Sequence, residues 1–327
     1  MTERDRTKMT LLVVIVNYFS ANLIEKLVQQ INTQDLDEGF NARVVCVDNS
    51  VNKDQRLALK KIKDTSSIRV NLIFSSCNVG FGNAINAGLH NQSFDFACFI
   101  NPDVTLQPDT LSLLLDHASS NPHQGIWGGL TVDRHFQADY RHAWREPSLT
   151  NTFAWATGLK KFIRSPNWQN SYQHHVSNQA QPYYVDCVSG CCLMISNSAW
   201  QATQGFDPDF FLYSEEIDLC RRARALGYQP TVIPRAKLTH STHSNEESAH
   251  RVVIIFLAKI QYIDKHHGQL YTLLFRFFIA IGSFIRAGKT LILGQLNSSR
   301  EWSRLSILSL GLTKNQLSRE KSQTESE

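Results

Sequence analysis

The chain reads as an α/β protein built on a mostly parallel central sheet with helices on both faces. Strand-like and helix-like segments alternate four times within the first 120 or so residues, the pattern of repeated βα units. Three of the strands, Leu11-Leu-Val-Val-Ile-Val16, Val44-Val-Cys-Val47 and Phe96-Ala-Cys-Phe-Ile100, are apolar at nearly every position rather than at alternate ones. Strands covered on both faces need that pattern. Each run also gives way to polar residues at its carboxyl end, the edge where open α/β sheets bind ligands.

The first strand, over residues 11–16, is too short and too β-branched for a helix; Asn17-Tyr18 follows, then a helical pattern over 21–33. A second strand over 43–48 precedes a charged helix over 53–63. The third, 70–74, leads into a helix of small residues over 80–89. The fourth, 96–100, runs into Asn101-Pro102-Asp103, where Pro102 turns the chain out of the sheet, and a helix is expected over 106–115. Crossovers in such a sheet are expected to be right-handed. The alternation stops after Gly125-Ile-Trp-Gly-Gly129; residues 134–182 are polar and aromatic without a period and are expected to form a mobile insertion over the sheet. Regularity returns with strands over 183–188 and 192–195, a helix over 215–226 stopped by Gly227, and a strand over 232–238. Two apolar, basic helices are expected over 248–265 and 269–293, and the polar residues 313–327 are expected to be disordered.

The net charge of +4 is unevenly distributed: residues 251–327 carry 11 Lys and Arg against 5 Asp and Glu. A tail both basic and apolar fits an anionic membrane surface better than nucleic acid, which is not an expected partner. A second copy of the chain is the other partner considered. Seven cysteines without a Cys-x-x-Cys pair lie mostly inside apolar runs, as expected in a reducing compartment. The polar start lacks a signal-peptide core, and no uninterrupted apolar run reaches about 18 residues, so a cytoplasmic protein without a spanning helix is expected.

Four strand ends collect polar side chains: Asn17, Asp48-Asn49-Ser50, the 75–83 turn, and Asn101-Pro102-Asp103. The turn Asn78-Val-Gly-Phe-Gly-Asn83 opens a helix, so its amides are candidates for meeting a phosphate. Its glycine spacing is too tight for a dinucleotide fingerprint and it lacks the Lys-Ser/Thr of a P-loop, so a tight turn with close helix packing is the competing reading. Asp48 likewise fits an ordinary turn. A second acidic cluster, Glu215-Glu216-Ile217-Asp218, follows Phe210-Phe-Leu-Tyr213. It suits a first helical turn with Ser214 as N-cap and an Asp218–Arg222 pair one turn apart. An aromatic run beside it also favours a carboxylate with a raised pKa, as a general base requires. His240 and His243 have the spacing of a zinc pair, but no second pair of standard spacing follows; His266-His267 read as ordinary residues.

In this order and spacing, VVIVNYFS (13–20), VVCVDNS (44–50), NVGFGNAINAG (78–88), FINPDV (99–104), VSGCCLMIS (188–196) and FDPDFFLYSEEIDLCRRARALGY (206–228), followed by His240, resemble the family 2 glycosyltransferases of the GT-A fold, particularly the rhamnosyltransferase-like branch. The likeness runs from about residue 11 to the Lys265-His-His-Gly268 stretch. It implies a catalytic domain over 11–245, with a nucleotide-sugar half over 11–130 and an acceptor half over 183–245. Residues 1–10 would be an N-terminal tail, and 246–312 a helical, membrane-associating region. It further implies that Asp48 holds the base of a dTDP- or UDP-sugar with Asn17 nearby, and that Asn78 and Asn83 lie against the nucleotide. Asn101-Pro-Asp103 occupies the family's Asp-x-Asp position. Asp103 and His240 would ligate Mg²⁺ or Mn²⁺, with Asn101 beside the donor in place of the first carboxylate. Glu216 would be the catalytic base, flanked by Glu215 and Asp218 as acceptor-orienting groups.

The reaction implied is inverting transfer, with L-rhamnose from dTDP-rhamnose the first choice of donor and a UDP-sugar such as UDP-galactofuranose the second. The acceptor would be lipid-linked or polysaccharide, at the inner face of the cytoplasmic membrane. A sugar-phosphate nucleotidyltransferase would need a Gly-rich, basic loop after the first strand, where Asn17-Tyr-Phe-Ser20 stands. A non-catalytic membrane scaffold that keeps the fold is the alternative from another class.

Overall fold

The computed structural model describes residues 8–139, 141–159, 181–241 and 249–311. The expected N-terminal tail, most of the expected insertion, His243 and the expected disordered tail therefore lie outside the described residues. Eleven strands are described: β1 Met9–Asn17, β2 Phe40–Asp48, β3 Val70–Phe74, β4 Phe96–Ile100, β5 Val104–Leu106, β6 Ile126–Thr131, β7 Ala143–Trp144, β8 Tyr183–Tyr184, β9 Cys187–Val188, β10 Cys192–Ser196 and β11 Thr231–His240.

Nine of them form one sheet in the order β3-β2-β1-β4-β10-β6-β11-β5, with β8 also on β11; β7 and β9 pair separately. β3, β2, β1, β4, β6 and β11 point the same way, and β10 runs against both its neighbours, β4 and β6. The sheet is thus mostly parallel, as expected. Successive residues of β1 feed opposite faces: Leu12, Val14 and Val16 join one core, Leu11, Val13 and Ile15 the other. That is why β1 is apolar throughout. The first core also takes in Phe99, Trp200 and Phe206; the second takes in Ile24, Leu111 and Trp127. Six cysteines are buried as small apolar groups, and burial pushes the Cys46 and Cys191 thiols up to about 12.

Three expectations change. The helix expected over 106–115 begins only at Thr110, after Pro108, and Val104–Leu106 instead forms β5 against the end of β11. A proline resists a helix interior, and a three-residue strand has no period to read. The strand expected over 183–188 is two strands, β8 on β11 and β9 on β7, because the chain changes partner at Val185-Asp186. The insertion, in which no period was expected, contains β7 and the helix Leu149–Thr157, capped by the Ser148 side chain.

Three helices close the described chain: Ala249–His266, Gln269–Ile292 and Leu296–Gly311. Contrary to expectation, Gln269–Ile292 is long and apolar enough to cross a membrane by length and composition. Its basic Arg276 does not interrupt it, because the guanidinium pairs with Asp264 of the preceding helix and both are mostly buried. Phe275, Ile279 and Gly282 turn toward the body, with Gly282 against Trp155 and Ala156.

Candidate active site

The carboxyl ends of β1, β2 and β3 are in register, so Asn17, Asp48 and Phe74 stand side by side at one sheet edge. Asp48 is fully buried, yet its carboxylate accepts hydrogen bonds from Asn17 Nδ2 (2.8 Å), Ser50 Oγ (2.6 Å), Ser50 N (3.1 Å) and Arg56 Nε (3.0 Å). Burial works to raise its pKa; the bonds from Ser50, Asn17 and Arg56 outweigh that and hold the carboxyl below its ordinary range. Asn17 Oδ1 in turn accepts from the Ser20 amide and hydroxyl, fixing the side chain. Arg56 was not singled out in the sequence, where it is one charge among several on an exposed helix; it also reaches the Ser75 carbonyl and lies over the Phe74 ring.

The 78–83 turn follows the competing reading. The Gly80 amide donates to Asn78 Oδ1 and the Phe81 amide to the Phe211 carbonyl, so neither is open to a phosphate. Gly80 has φ +84°, and a Cβ there would stand 2.1 Å from the Phe211 oxygen. Only glycine permits that approach. Asn83 Nδ2 donates to the Val79 and Pro208 carbonyls, which ties the turn to the 206–211 loop and leaves only the rest of the amide to face a ligand. Asn49 completes the tie through the Gly80 carbonyl and the Ser75 hydroxyl.

At the next strand end, Asn101 donates its amide to the Cys191 carbonyl (2.9 Å). Asp103 meets His240, which the pairing of β5 with β11 sets opposite Val104; Oδ1 and Nε2 are 3.2 Å apart. Both side chains are mostly buried but reach solvent, and among the described residues His240 Nδ1 has no hydrogen-bond partner. Two donors at about 2.1 Å in adjacent octahedral positions sit about 3.0 Å apart, so this pair fits one edge of a Mg²⁺ or Mn²⁺ shell. No group of three His, Cys, Asp or Glu side chains suited to a metal occurs among the described residues. The pair therefore suits a cation that takes its remaining oxygens from water and a substrate diphosphate.

The acidic helix is Glu215–Ala225. Ser214 is its N-cap by position but makes no side-chain cap bond: it and Tyr213 both have positive φ, 67° and 66°. Two consecutive non-glycine residues in that region are strained, and such strain gathers at functional sites. Glu216 is half-buried, its Cβ and Cγ 3.8 and 3.9 Å from where a Gly190 side chain would begin. Gly190 thus lies beside Glu216, and the Cys191 carbonyl accepts the Asn101 backbone amide. Burial pushes the Glu216 carboxyl up to about 7. Glu215 is buried beside Gly82.

Asp218 does not share this cleft. It is wholly buried, and its oxygens take Arg222 Nε (2.8 Å), Lys265 Nζ (2.5 Å) and His266 Nε2 (2.7 Å). The Arg222 pair was expected; Lys265 and His266, the latter read as ordinary, turn Asp218 into a clasp between the acidic helix and Ala249–His266. The expected acceptor-orienting role is not what its contacts describe. Burial would raise its pKa, but the bonds from His266, Arg222 and Lys265 hold it down at about 2. A carboxyl depressed on folding stabilises the fold above its ordinary pKa, and that contribution disappears as pH falls through about 2. Asp218→Asn is expected to cost about 2–3 kcal/mol at neutral pH, because it removes the buried charge that accepts the bonds from Arg222, Lys265 and His266. Urea unfolding checks this, and the gap between variant and wild type should shrink as pH approaches 2.

Residues 12–202 match Glycosyl transferase family 2. The N-acetylglucosaminyl-diphospho-decaprenol L-rhamnosyltransferase of Mycobacterium tuberculosis is 31% identical over 219 residues, 61% of this chain and 68% of that protein. Rhamnosyltransferase WbbL of Escherichia coli K12 is 24% identical over 244 residues, 72% of this chain and 85% of that one. Among solved structures, the mannosyltransferase PcManGT from Pyrobaculum calidifontis, in complex with GDP-Man and Mn²⁺, aligns with TM-score 0.59 at 14% identity, covering 98% of this chain and 86% of its own. GalNAc-T7 with UDP, GalNAc and Mn²⁺ aligns with TM-score 0.60 at 12% identity, covering 98% and 58%. These two likenesses concern the fold, and the fold is GT-A. With the family match spanning more than half its length, this chain belongs to glycosyltransferase family 2.

Proposed function

We propose that the chain transfers L-rhamnose from dTDP-rhamnose, with inversion, to a lipid-linked sugar at the inner face of the cytoplasmic membrane. The observation that carries this reading is the placement of Glu216: a carboxyl raised to about 7, next to Gly190, whose neighbour Cys191 accepts the Asn101 backbone amide. An acceptor hydroxyl must lose its proton as the new bond forms, and a base poised near neutrality takes it most effectively. One base acting opposite the leaving group gives a single displacement, hence inversion. The choice of rhamnose is supported by the names of both relatives, and that of a lipid-linked acceptor by the name of the Mycobacterium tuberculosis protein; dTDP as the carrier is what the family likeness implies.

In this reading Asp48, ionised and held by Asn17, Ser50 and Arg56, anchors the strand-end surface that holds a thymine or uracil. Asn78, Asn83 and Asn101 line the donor side, and Glu215 supports the turn that presents Glu216. Asp103 and His240 hold a Mg²⁺ or Mn²⁺ ion. When bound, the cation supplies positive charge against the departing diphosphate. The protein's own part is to present one carboxylate and one imidazole on a fixed strand pair and to keep Glu216 on the acceptor side.

A thermal-shift screen with dTDP-rhamnose, UDP-galactofuranose and common UDP-hexoses, each with and without Mn²⁺, tests the reading. The expected result is a cation-dependent rise in melting temperature largest for dTDP-rhamnose. A larger rise with a UDP-sugar would reassign the donor, and no rise with any of them would favour the scaffold alternative.

A further inference from the structure

The helix Gln269–Ile292 is buried on one face and bare on the other. Leu273, Phe277, Ile281, Phe284 and Ile292 fall along the open face at helical spacing, and Phe284 and Ile292 are 73% and 87% exposed. The stripe continues through the turn, where Leu293 and Leu296 also face outward. Soluble monomers rarely leave so long an apolar stripe open to water.

Charge decides what covers it. Gln269–Ile292 contains no acidic residue, and the one acid of Leu296–Gly311, Glu301, pairs with His250 of the Ala249–His266 helix. Lys289 and Arg300, one turn back from the apolar bend on either arm, are exposed. A two-fold partner seated on the same patch would set these like charges against each other. An anionic bilayer instead takes the apolar side chains below its headgroups and the two cations among its phosphates.

We propose that this helical hairpin is a monotopic membrane anchor: it lies in the plane of an anionic lipid surface, apolar stripe down, and does not cross it. The packed face settles the in-plane pose. To span, the helix would have to break the buried Arg276–Asp264 pair, lift Arg286 off the Trp155 ring (3.8 Å) and expose Phe275 and Ile279. Phe153 of the insertion helix extends the patch, half exposed and in edge contact with Phe278. The proposal deepens the reading above, in which the acceptor is lipid-linked, by naming the surface that brings the enzyme to it.

Flotation of the full chain with vesicles, without donor or acceptor, tests docking alone; failure of the transferase reading would appear in the donor screen instead. The chain should float with vesicles of phosphatidylcholine and phosphatidylglycerol and far less with phosphatidylcholine only. Lys289→Gln with Arg300→Gln should weaken binding to the anionic vesicles about thirtyfold, from roughly a factor of five per cation. Phe277→Glu with Phe284→Glu should weaken it more than about a hundredfold. These sites are exposed, so circular dichroism and donor-induced thermal shift should match wild type. Undiminished flotation of the Phe variants would overturn the proposal, as would resistance of wild type to alkaline extraction, which marks a spanning helix. A stable dimer by light scattering, dispersed by the Phe changes, would assign the face to a second copy instead.

Discussion

Glu216→Gln is expected to bind donor as wild type does and to lose nearly all sugar transfer. The substitution keeps the shape of the side chain beside Gly190 and removes its capacity to accept a proton, so isothermal titration with dTDP-rhamnose should give a Kd within about twofold of wild type while kcat falls by about 10²–10⁴. The pH profile carries the same assignment. Burial raises the Glu216 carboxyl to about 7, so the active, ionised form is the minority at pH 6 and the majority at pH 8. The rate should therefore climb about tenfold per pH unit below 7 and level off above it. Glu216→Asp should keep that shape at a lower plateau, the shorter side chain reaching less far. A Gln variant with wild-type turnover would move the base elsewhere.

Asp103→Asn is expected to abolish the cation dependence of donor binding. Amide oxygen is a poorer ligand than carboxylate, and His240 alone does not make a site. The expected signature is a donor Kd that Mn²⁺ no longer improves, where for wild type it improves about 10²-fold or more. The fold should survive, because the Ser241 amide and hydroxyl bond the Asp103 backbone carbonyl rather than its side chain. His240→Ala should weaken the same dependence. If Mn²⁺ strengthens donor binding to the Asn variant as much as to wild type, Asp103 is not a cation ligand.

Over residues 11–100 the strands were legible, with β1 and β2 beginning somewhat earlier than expected. These strands are apolar on both faces, and β3 and β4 run over the residues expected. The polar strand ends, Asn17 and Asp48, needed no more than the rule that parallel sheets bind ligands at one edge. What escaped depended on contacts across the chain. β5 has three residues and no period; its existence follows from the partner that β11 offers. The strand expected over 183–188 divides because β8 and β9 pair with different elements, which alternation cannot reveal.

In the site, the convergence of Asp103 with His240 was expected from the family likeness and is met by geometry at 3.2 Å. For Asp218, i,i+4 spacing shows Arg222 and says nothing of Lys265 and His266, which arrive from another helix. The 78–83 turn shows the converse. Its amides looked available in sequence, yet the Gly80 amide is taken by the Asn78 side chain and the Phe81 amide by the Phe211 carbonyl, more than a hundred residues away.

The antiparallel β10 has a consequence for how the chain comes into being. Until Cys192–Ser196 is synthesised, the fully apolar β4 has β1 on one side and an open edge on the other. β6 is stranded equally, since its partners are β10 and β11. A nascent chain that has emerged only through β6 therefore displays two unpaired edge strands, a template for intermolecular pairing. Truncations ending before residue 192 should accumulate as insoluble aggregate in a pelleting assay, while those that retain β10 and β11 stay dispersed.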